Sequence, residues 1–489
     1  YVAKTYYEKD FEVWAVDRRS NCLEDLAGFQ AAEKASTADE AMNVMLDYYY
    51  EQQPIDGKTF EGFLKPKDIP FVAHFGLALA TEDMFTIMEH MIPDRAVRKK
   101  KIFVGGHSLG GTHTSVFSAW DKDGNPETIE DAGFNNIAGV FALDAFVTPI
   151  SEVTESAIDS MSIPASLSNS FAKFGYQSLV AGFESGFLPP VLPVLLDGEV
   201  SALPEALGIL AQKAPDAESV VLQHMPQSQN LKLMLQLYHS RRLSDFLKGV
   251  SILDYRYTNE ALLGLIFDDN SSPISFLQAS IGFAHGGKVG SKSFPIPYQV
   301  SSIPILGDLV SSISSADPKF IPTDQGFKFF GRKFPGPLYS WAGYDEVASP
   351  EYPLFQSKTG RTTLTETKGE MVDISDFTRA LYIGESNLTE WYFPLRLFVD
   401  IMAVDYPYAP EFGINILHAG AIKDLPKIEF IAESGPFASQ LSSTVSTEGV
   451  RILEGMNHLD PMFAVVNAPE QYKNQVIEPL IDWVLDNLQ

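Results

Sequence analysis

Short apolar runs alternate with helical periodicity over the first part of this chain. An apolar run at 11–16 predicts a strand, and apolar side chains recur at helical intervals over 75–92. A second apolar run at 102–106 is followed by a predicted helix over 109–120 and by a third run at 136–146. Strands that alternate with helices form parallel sheets, because each helix carries the chain back to where the next strand starts. The pattern therefore predicts a parallel α/β sheet.

The same alternation resumes near the end of the chain. Apolar runs at 427–432 and 449–455 predict two further strands, and periodic apolar positions over 468–488 predict a closing helix. Asn467 is expected to cap this helix and Pro469 to lie in its first turn, since both residue types suit a helix start. The predicted inner face consists of Val476, Leu480, Trp483 and Val484.

The middle of the chain, residues 147–421, lacks this alternation. Helical stretches such as 202–212 are separated by Pro- and Ser-rich connections, and aromatic side chains are frequent, as in the run at 327–344. We interpret this region as one inserted, largely helical cap, in which most aromatic side chains form the cap's own core. The core domain is then divided into residues 1–146 and 422–489.

Composition excludes several classes of protein. Hydrophobic residues make up 45% of the 489 residues and charged residues 20%, which is typical of a globular protein with a large core. The 63 acidic residues against 36 basic ones give a net charge of −27, which repels nucleic acids and anionic lipids. The most apolar stretch, 187–196, is too short to cross a bilayer and contains prolines. We expect no nucleic-acid partner and no transmembrane segment.

A single cysteine, Cys22, excludes an internal disulfide and any metal site built from several thiolates. We expect Cys22 to be a small buried hydrophobic residue. The sequence indicates neither a metal nor a cofactor.

Candidate chemistry is concentrated around Ser108. The stretch Gly106-His107-Ser108-Leu109-Gly110 fits the pattern Gly-X-Ser-X-Gly, with a predicted strand before it and a predicted helix after it. A nucleophilic serine on such a turn lies in strained backbone, where larger flanking side chains would clash. The plain alternative is a Gly-rich turn that carries a serine by chance. We favour a nucleophile because the strand, the helix and the glycines occur together.

A serine hydroxyl needs a base that accepts its proton, and histidine is the usual one. Among nine histidines, His458 follows the last predicted strand and precedes the closing helix. The order of nucleophile first and histidine last is one of the known orders of a catalytic triad. The alternative is an ordinary surface-loop histidine. We expect His458 to be the base, and His107 and His113 to pack beside the serine.

Two carboxylates compete for the third position of the triad. Asp144 ends the predicted strand after the serine's helix, and Glu433 ends the strand at 427–432. Both lie at carboxyl ends of predicted strands, where the site of a parallel sheet forms. We favour Asp144 slightly and retain Glu433 as the alternative acid. Asp460 is expected to cap its own loop or the helix that follows.

These residues resemble the serine hydrolases of the α/β-hydrolase superfamily, close to bacterial esterases and lipases. The resemblance lies in GHSLGG around Ser108, in VWAVDRRSN at 13–21 and in GMNHLDP around His458. It covers the two parts of the core domain and implies an α/β-hydrolase fold with a mostly parallel sheet and an inserted cap. Pancreatic-type lipases are similar in placing their acid after the strand that Asp144 ends.

The resemblance also implies an oxyanion hole, to which the backbone N–H of Leu109 contributes one of two donors. In the superfamily, strands that precede the one at 11–16 supply the second donor, usually from a His-Gly motif. His285-Gly286-Gly287 has this motif but lies in the cap, without a convincing buried strand before it. Either an N-terminal fragment, separate or cleaved, completes the fold, or the cap replaces these strands, and we favour the fragment.

The expected function is that of a serine carboxylic ester hydrolase, which acts through an acyl-enzyme on a sizeable hydrophobic ester. The ester is either a small molecule or a polymer. The alternatives are an amidase or peptidase of the same fold, and a catalytically silent member that serves as a binding module. Silent members usually lose the nucleophile or the base, and this chain keeps both. The sequence does not indicate an oligomeric state.

Overall fold

A computed structural model describes residues 11–147, 165–192, 197–294, 319–343, 346, 371–383, 388–438, 449–463 and 475–488. The strands are β1 Phe103–His107, β2 Gly139–Leu143, β3 Arg256–Tyr257, β4 Phe283–His285, β5 Val289–Lys292, β6 Lys319–Pro322, β7 Phe327–Phe329, β8 Arg332–Phe334, β9 Leu338–Ala342, β10 Lys427–Ala432 and β11 Val450–Leu453.

The α-helices are α1 Ala27–Lys34, α2 Ala38–Tyr49, α3 Leu77–Met91, α4 Arg95–Lys101, α5 Leu109–Ala119, α6 Ala165–Glu184, α7 Gly198–Lys213, α8 Val221–His224, α9 Gln229–His239, α10 Leu243–Leu247, α11 Asn259–Phe267, α12 Ile374–Ala380, α13 Leu395–Ile401, α14 Asp460–Phe463 and α15 Ile477–Asn487. In the described parts of the chain, none of the helices is both long and apolar enough to cross a membrane.

Four parallel strands form a sheet in the order β1-β2-β10-β11. The predicted parallel α/β sheet is therefore confirmed, and each of these strands lies within its apolar run or extends one residue beyond it. The inserted region leaves the sheet after β2 and returns at its neighbour β10. The long insertion thus separates two strands that are adjacent in space.

Helices cover both faces of this sheet, as a parallel sheet requires. Helix α5 packs on one face, where a side chain at Gly111 would meet the Ala145 Cβ at 2.5 Å. On the other face, Trp483 of α15 lies edge-on to Phe103, with ring centroids 5.3 Å apart. Small residues on one face and aromatic residues on the other thus set the distance of each helix from the sheet.

The predicted helices over 75–92, 109–120 and 202–212 are confirmed as α3, α5 and α7. The closing helix begins at Ile477, later than the sequence predicted. Pro479 lies in its first turn, where a missing N–H costs no hydrogen bond, so this proline suits the observed start. The predicted cap residues Asn467 and Pro469 lie outside the described residues.

The predicted strand at 11–16 is wrong, because this segment is irregular and pairs with no strand. Val13 and Val16 are exposed, and Trp14 is half-buried. The segment lines a groove of about 950 Å³ beside β1, whose outer edge is unpaired within the described ranges. An apolar run forms a strand only where a neighbour satisfies its backbone hydrogen bonds. An N-terminal fragment that completes the fold stays a prediction.

The predicted burial of Cys22 is also wrong, since the cysteine is exposed. It lies in a single 3-10 turn, Arg19–Leu23, in which only Ser20 is buried. A short turn on the surface has little room to bury each side chain it carries.

The inserted region contains strands as well as the predicted helices. Strands β3, β9 and β4 form a three-stranded sheet, and β5–β6 and β7–β8 form two further pairs. Buried residues of this region, such as Leu207 and Phe377, share one apolar cluster with Phe430 and Leu480 of the core. The described part of the insertion therefore packs against the sheet through a continuous core.

Candidate active site

Ser108 lies on the sharp turn between β1 and α5. Its backbone has φ +53° and ψ −121°, a conformation that non-glycine residues rarely adopt. Its N–H donates to the Leu143 carbonyl at 3.0 Å, which extends the pairing of β1 and β2 by one residue. A side chain at Gly106 would meet the Gly110 carbonyl oxygen at 2.6 Å, so the turn requires glycine there. The strained serine is thus held by hydrogen bonding and close packing.

His458 forms a buried hydrogen bond with Asp144. The His458 Nδ1 and Asp144 Oδ2 atoms are 2.5 Å apart, and both side chains are almost fully buried. The other carboxylate oxygen, Oδ1, accepts the Ala432 N–H at 2.9 Å. A side chain at Gly435 would overlap the carboxylate, so this glycine lets the loop after β10 pass close to it. The structure thus brings His458 and Asp144 together.

The alternative acid, Glu433, lies in a different environment. Its side chain is exposed, and its Oε2 accepts the Gly455 N–H at 2.8 Å. Its own N–H donates to the Leu453 carbonyl at 3.0 Å. Glu433 therefore links the ends of β10 and β11, and the geometry favours Asp144 as the carboxylate that orients His458.

His107 connects the serine turn to the histidine loop. Its Nε2 lies 2.7 Å from the His458 carbonyl oxygen, and the two rings are 4.4 Å apart. Burial lowers the pKa of His107 to about 3, so its ring is neutral at pH 7. Because a carbonyl only accepts, the proton of this neutral ring is assigned to Nε2. The residue next to Ser108 thus fixes the backbone of His458, a role that its expected packing did not include.

Burial also controls the protonation of the His458–Asp144 pair. It lowers the pKa of His458 to about 4 and raises that of Asp144 to about 7, because a buried site disfavours each charged form. Above about pH 7 the pair therefore carries one proton, on His458 Nδ1 and directed at the carboxylate. His458 Nε2 is then unprotonated and able to accept a proton.

A second buried carboxylate, Asp460, positions the loop that carries His458. Its Oδ2 accepts the Asn457 N–H at 2.7 Å, and its Oδ1 accepts the Ser280 N–H at 2.8 Å. The Asn457 side chain in turn donates to Ser280 Oγ at 2.8 Å. The expected local cap is thus present. The bonds to Ser280 were missed, because no local pattern relates this loop to a serine in the insertion.

Leu109, the predicted oxyanion donor, is the first residue of α5. The first N–H groups of a helix have no acceptor within it, so they are available to an anion. His285 ends β4, which pairs with β9 in the separate three-stranded sheet, and Gly287 packs against the Tyr339 ring. The His-Gly motif therefore does not follow a strand of the four-stranded sheet. Its position does not support a role as the second oxyanion loop.

Three carboxylates after α5 are the described side chains that come closest to a metal-binding arrangement. Asp121, Asp123 and Asp131 place oxygens within 4.8 Å of one another. Asp121 pairs with His418 at 2.7 Å, and both Asp121 and Asp123 accept the Asn125 N–H. Asp131 Oδ2 accepts the Asp123 N–H at 2.9 Å, so hydrogen bonds from backbone N–H groups bring the three carboxylates together.

The described residues thus combine a serine on a strained turn with a buried histidine–carboxylate pair. His107, next to the serine, contacts the backbone of that histidine. Sequence reasoning predicted Ser108 as nucleophile and His458 as base, and it left the acid between Asp144 and Glu433. Comparisons of the chain with models of protein families, with curated proteins and with solved structures found no match.

Proposed function

We propose that this protein is a serine carboxylic ester hydrolase of the α/β-hydrolase type. The observation that carries the proposal is the 2.5 Å hydrogen bond between His458 Nδ1 and Asp144 Oδ2. It lies beside a turn that holds Ser108 at a φ of +53°. A buried carboxylate that orients a neutral imidazole near a serine on such a turn is typical of acyl-transfer enzymes.

In the proposed mechanism, His458 Nε2 takes the proton of Ser108 while Oγ attacks the acyl carbon. Asp144 stabilises the imidazolium that forms, and the Leu109 N–H with a second donor binds the oxyanion. His458 then protonates the departing alcohol, which leaves an acyl-enzyme. The same histidine deprotonates a water molecule, whose attack releases the acid and restores Ser108.

The proposed substrate is an ester with a sizeable apolar group. The Phe437 ring lies 6.1 Å from the His458 ring, and the Phe146 ring lies 6.3 Å from that of Phe437. Both side chains are half-buried, so they give the site an apolar wall. Ligand sites combine such apolar walls with a few polar groups that fix orientation.

Hydrolysis of p-nitrophenyl esters tests the reaction, with p-nitroanilides as the amide counterparts. Ser108→Ala should lower the turnover number by about 10⁶-fold, because the nucleophile is lost. Ser178→Ala is the matched control, since Ser178 is exposed and bonds only the backbone of its own helix among the contacts described. Full ester turnover by Ser108→Ala would contradict the proposal, and faster anilide than ester cleavage would favour an amidase.

A series of acyl chain lengths tests the apolar wall. Phe437→Ala should raise KM for long-chain esters by about tenfold and leave short-chain esters nearly unchanged, because only long chains reach the ring. Phe187→Ala serves as the control, since Phe187 is 87% exposed. An equal change for both chain lengths would show that Phe437 does not contact the acyl group.

A further inference from the structure

The hairpin of β7 and β8, residues 327–334, presents its turn to solvent. We call it the aromatic hairpin. Its two turn residues, Phe330 and Gly331, have φ of +44° and +77°. Positive φ at both positions is typical of the two-residue turns that match the twist of paired strands. Glycine suits this conformation, whereas phenylalanine rarely adopts it.

Three phenylalanines of the aromatic hairpin are exposed instead of forming the predicted cap core. Phe330 is 94% exposed, Phe327 62% and Phe329 59%. The ring centroids of Phe329 and Phe330 are 4.6 Å apart. Phe327 stacks on Phe334, with ring centroids 4.9 Å apart. These contacts are within the hairpin, so its tip displays apolar surface without a partner in the described chain. Clustered exposed aromatic residues usually mark an interaction site.

The charge of the aromatic hairpin is opposite to that of the protein. It contains Lys328, Arg332 and Lys333, and no acidic residue occurs from 325 to 344. The protein as a whole has a net charge of −27. The Arg332 guanidinium lies over the Phe334 ring, 5.3 Å from its centroid. The exposed Arg332 side chain and the exposed phenylalanines are thus combined on one projection.

We propose that the aromatic hairpin anchors this protein to an anionic phospholipid surface. Aromatic rings favour the boundary between headgroups and acyl chains, and basic residues beside them attract anionic headgroups. The screening length at physiological ionic strength is about 8 Å, so acidic residues far from the hairpin repel the surface only weakly. The net charge of −27 alone predicts that anionic lipids repel the protein, whereas the basic residues of the aromatic hairpin attract them locally.

Charge complementarity selects a lipid surface over a second copy of this chain. Two copies, each with a net charge of −27, repel each other, and each would bring the same basic hairpin to the contact. An anionic bilayer matches both the charge of the hairpin and its exposed rings. The proposal does not depend on the ester hydrolase activity, because binding is measured without substrate.

Co-sedimentation of the full chain with vesicles tests the proposal. Vesicles of phosphatidylcholine alone are compared with vesicles in which part of it is replaced by phosphatidylglycerol. We expect binding to the anionic vesicles, with about tenfold loss of affinity in the double variant Phe329→Ser/Phe330→Ser. Phe187→Ser is the matched control, because it removes an exposed phenylalanine elsewhere. All three positions are exposed, so the variants should remain folded.

Two further variants separate the apolar and the charged contributions. Lys328→Gln/Arg332→Gln/Lys333→Gln should lower binding to anionic vesicles to the level seen with phosphatidylcholine alone. Phe330→Trp should add fluorescence that brominated acyl chains quench when anionic vesicles are present.

Several outcomes would overturn the proposal. They are equal binding to both kinds of vesicle, no binding to either, and an equal loss of affinity in Phe187→Ser. Lipid-free dimers that dissociate in Phe329→Ser/Phe330→Ser would instead assign the hairpin to contact between copies of this chain.

Discussion

The serine turn and the histidine loop of the candidate site are built in different ways. Residues 102–111 form the turn from one contiguous strand, glycine pair and helix start, and one backbone hydrogen bond to Leu143 of the neighbouring strand holds Ser108. The histidine loop, 456–460, depends on partners that are far away in the chain. Asp144 lies 314 residues from His458, and Ser280 lies 180 residues from Asp460. The nucleophile therefore depends mainly on contiguous residues and one backbone bond to the next strand, whereas side-chain hydrogen bonds from distant residues position the base.

Among the changes that test this comparison, the largest expected effect concerns the partner of His458. Asp144→Asn should lower the turnover number for esters by about 10⁴-fold, because the amide no longer holds the imidazole in the required tautomer. Glu433→Gln should change turnover by no more than a few fold, since Glu433 caps the Gly455 N–H instead. Steady-state kinetics of both variants checks this. The opposite ranking would assign the acid to Glu433.

The serine turn should respond to a single added methyl group. Gly106→Ala should lower turnover by about 10²-fold, because the new side chain would push against the Gly110 backbone and displace Ser108. Gly110→Ala is the matched control, since nothing lies within 4 Å of a side chain there. Turnover is compared together with thermal unfolding. Equal losses in both variants would show that the turn does not depend on the close approach.

The histidine loop should respond to changes at its distant anchor. Asp460→Asn should lower turnover about tenfold and leave KM nearly unchanged, because one amide N–H₂ would face a backbone N–H at Asn457 or Ser280. Asp254→Asn is the control, since Asp254 accepts a backbone N–H in an exposed turn. Ser280→Ala keeps the backbone donor and should have a smaller effect. A rise in KM alone would contradict a positioning role for Asp460.

The pH dependence of kcat/KM should report the protonation of the buried His458–Asp144 pair. The active form has an ionised Asp144 and a neutral His458, and burial raises the pKa of Asp144 to about 7. Lowering the pH through about 7 adds a proton to the pair, so kcat/KM should fall about tenfold per pH unit on the acid side. In Asp144→Asn only His458 of the pair titrates, and because burial lowers the pKa of His458, the residual activity should persist to lower pH. If the fall in kcat/KM on the acid side occurs at the same pH in the parent protein and in Asp144→Asn, the assignment of this titration to Asp144 is contradicted.

The sequence predicted best what short stretches determine. The four strands of the sheet, α3, α5 and the turn at Ser108 depend on apolar periodicity and on glycines a few residues apart. The strand predicted at 11–16 is wrong, because an apolar run forms a strand only beside a pairing neighbour, which the described chain does not provide. The closing helix begins later than predicted, because Pro479 suits the first turn of a helix as well as Pro469 does.

The remaining part of the site depends on tertiary contacts. The choice between Asp144 and Glu433 required knowing which carboxylate faces His458, and both end parallel strands. The bond from Leu459 N–H to the Gln278 carbonyl, at 2.9 Å, adds another link from the histidine loop to the insertion. No local pattern relates residues so far apart, because their contact exists only once the insertion packs on the sheet.

Covalent labelling with a fluorophosphonate tests the central claim most directly. The reagent reacts with a serine that a histidine activates, so the intact mass should rise by one adduct per chain, with peptide mapping placing it on Ser108. His458→Ala should remain unlabelled while its circular dichroism spectrum shows that it is folded. Folded parent protein that gains no adduct, or gains it on another serine, would contradict the account.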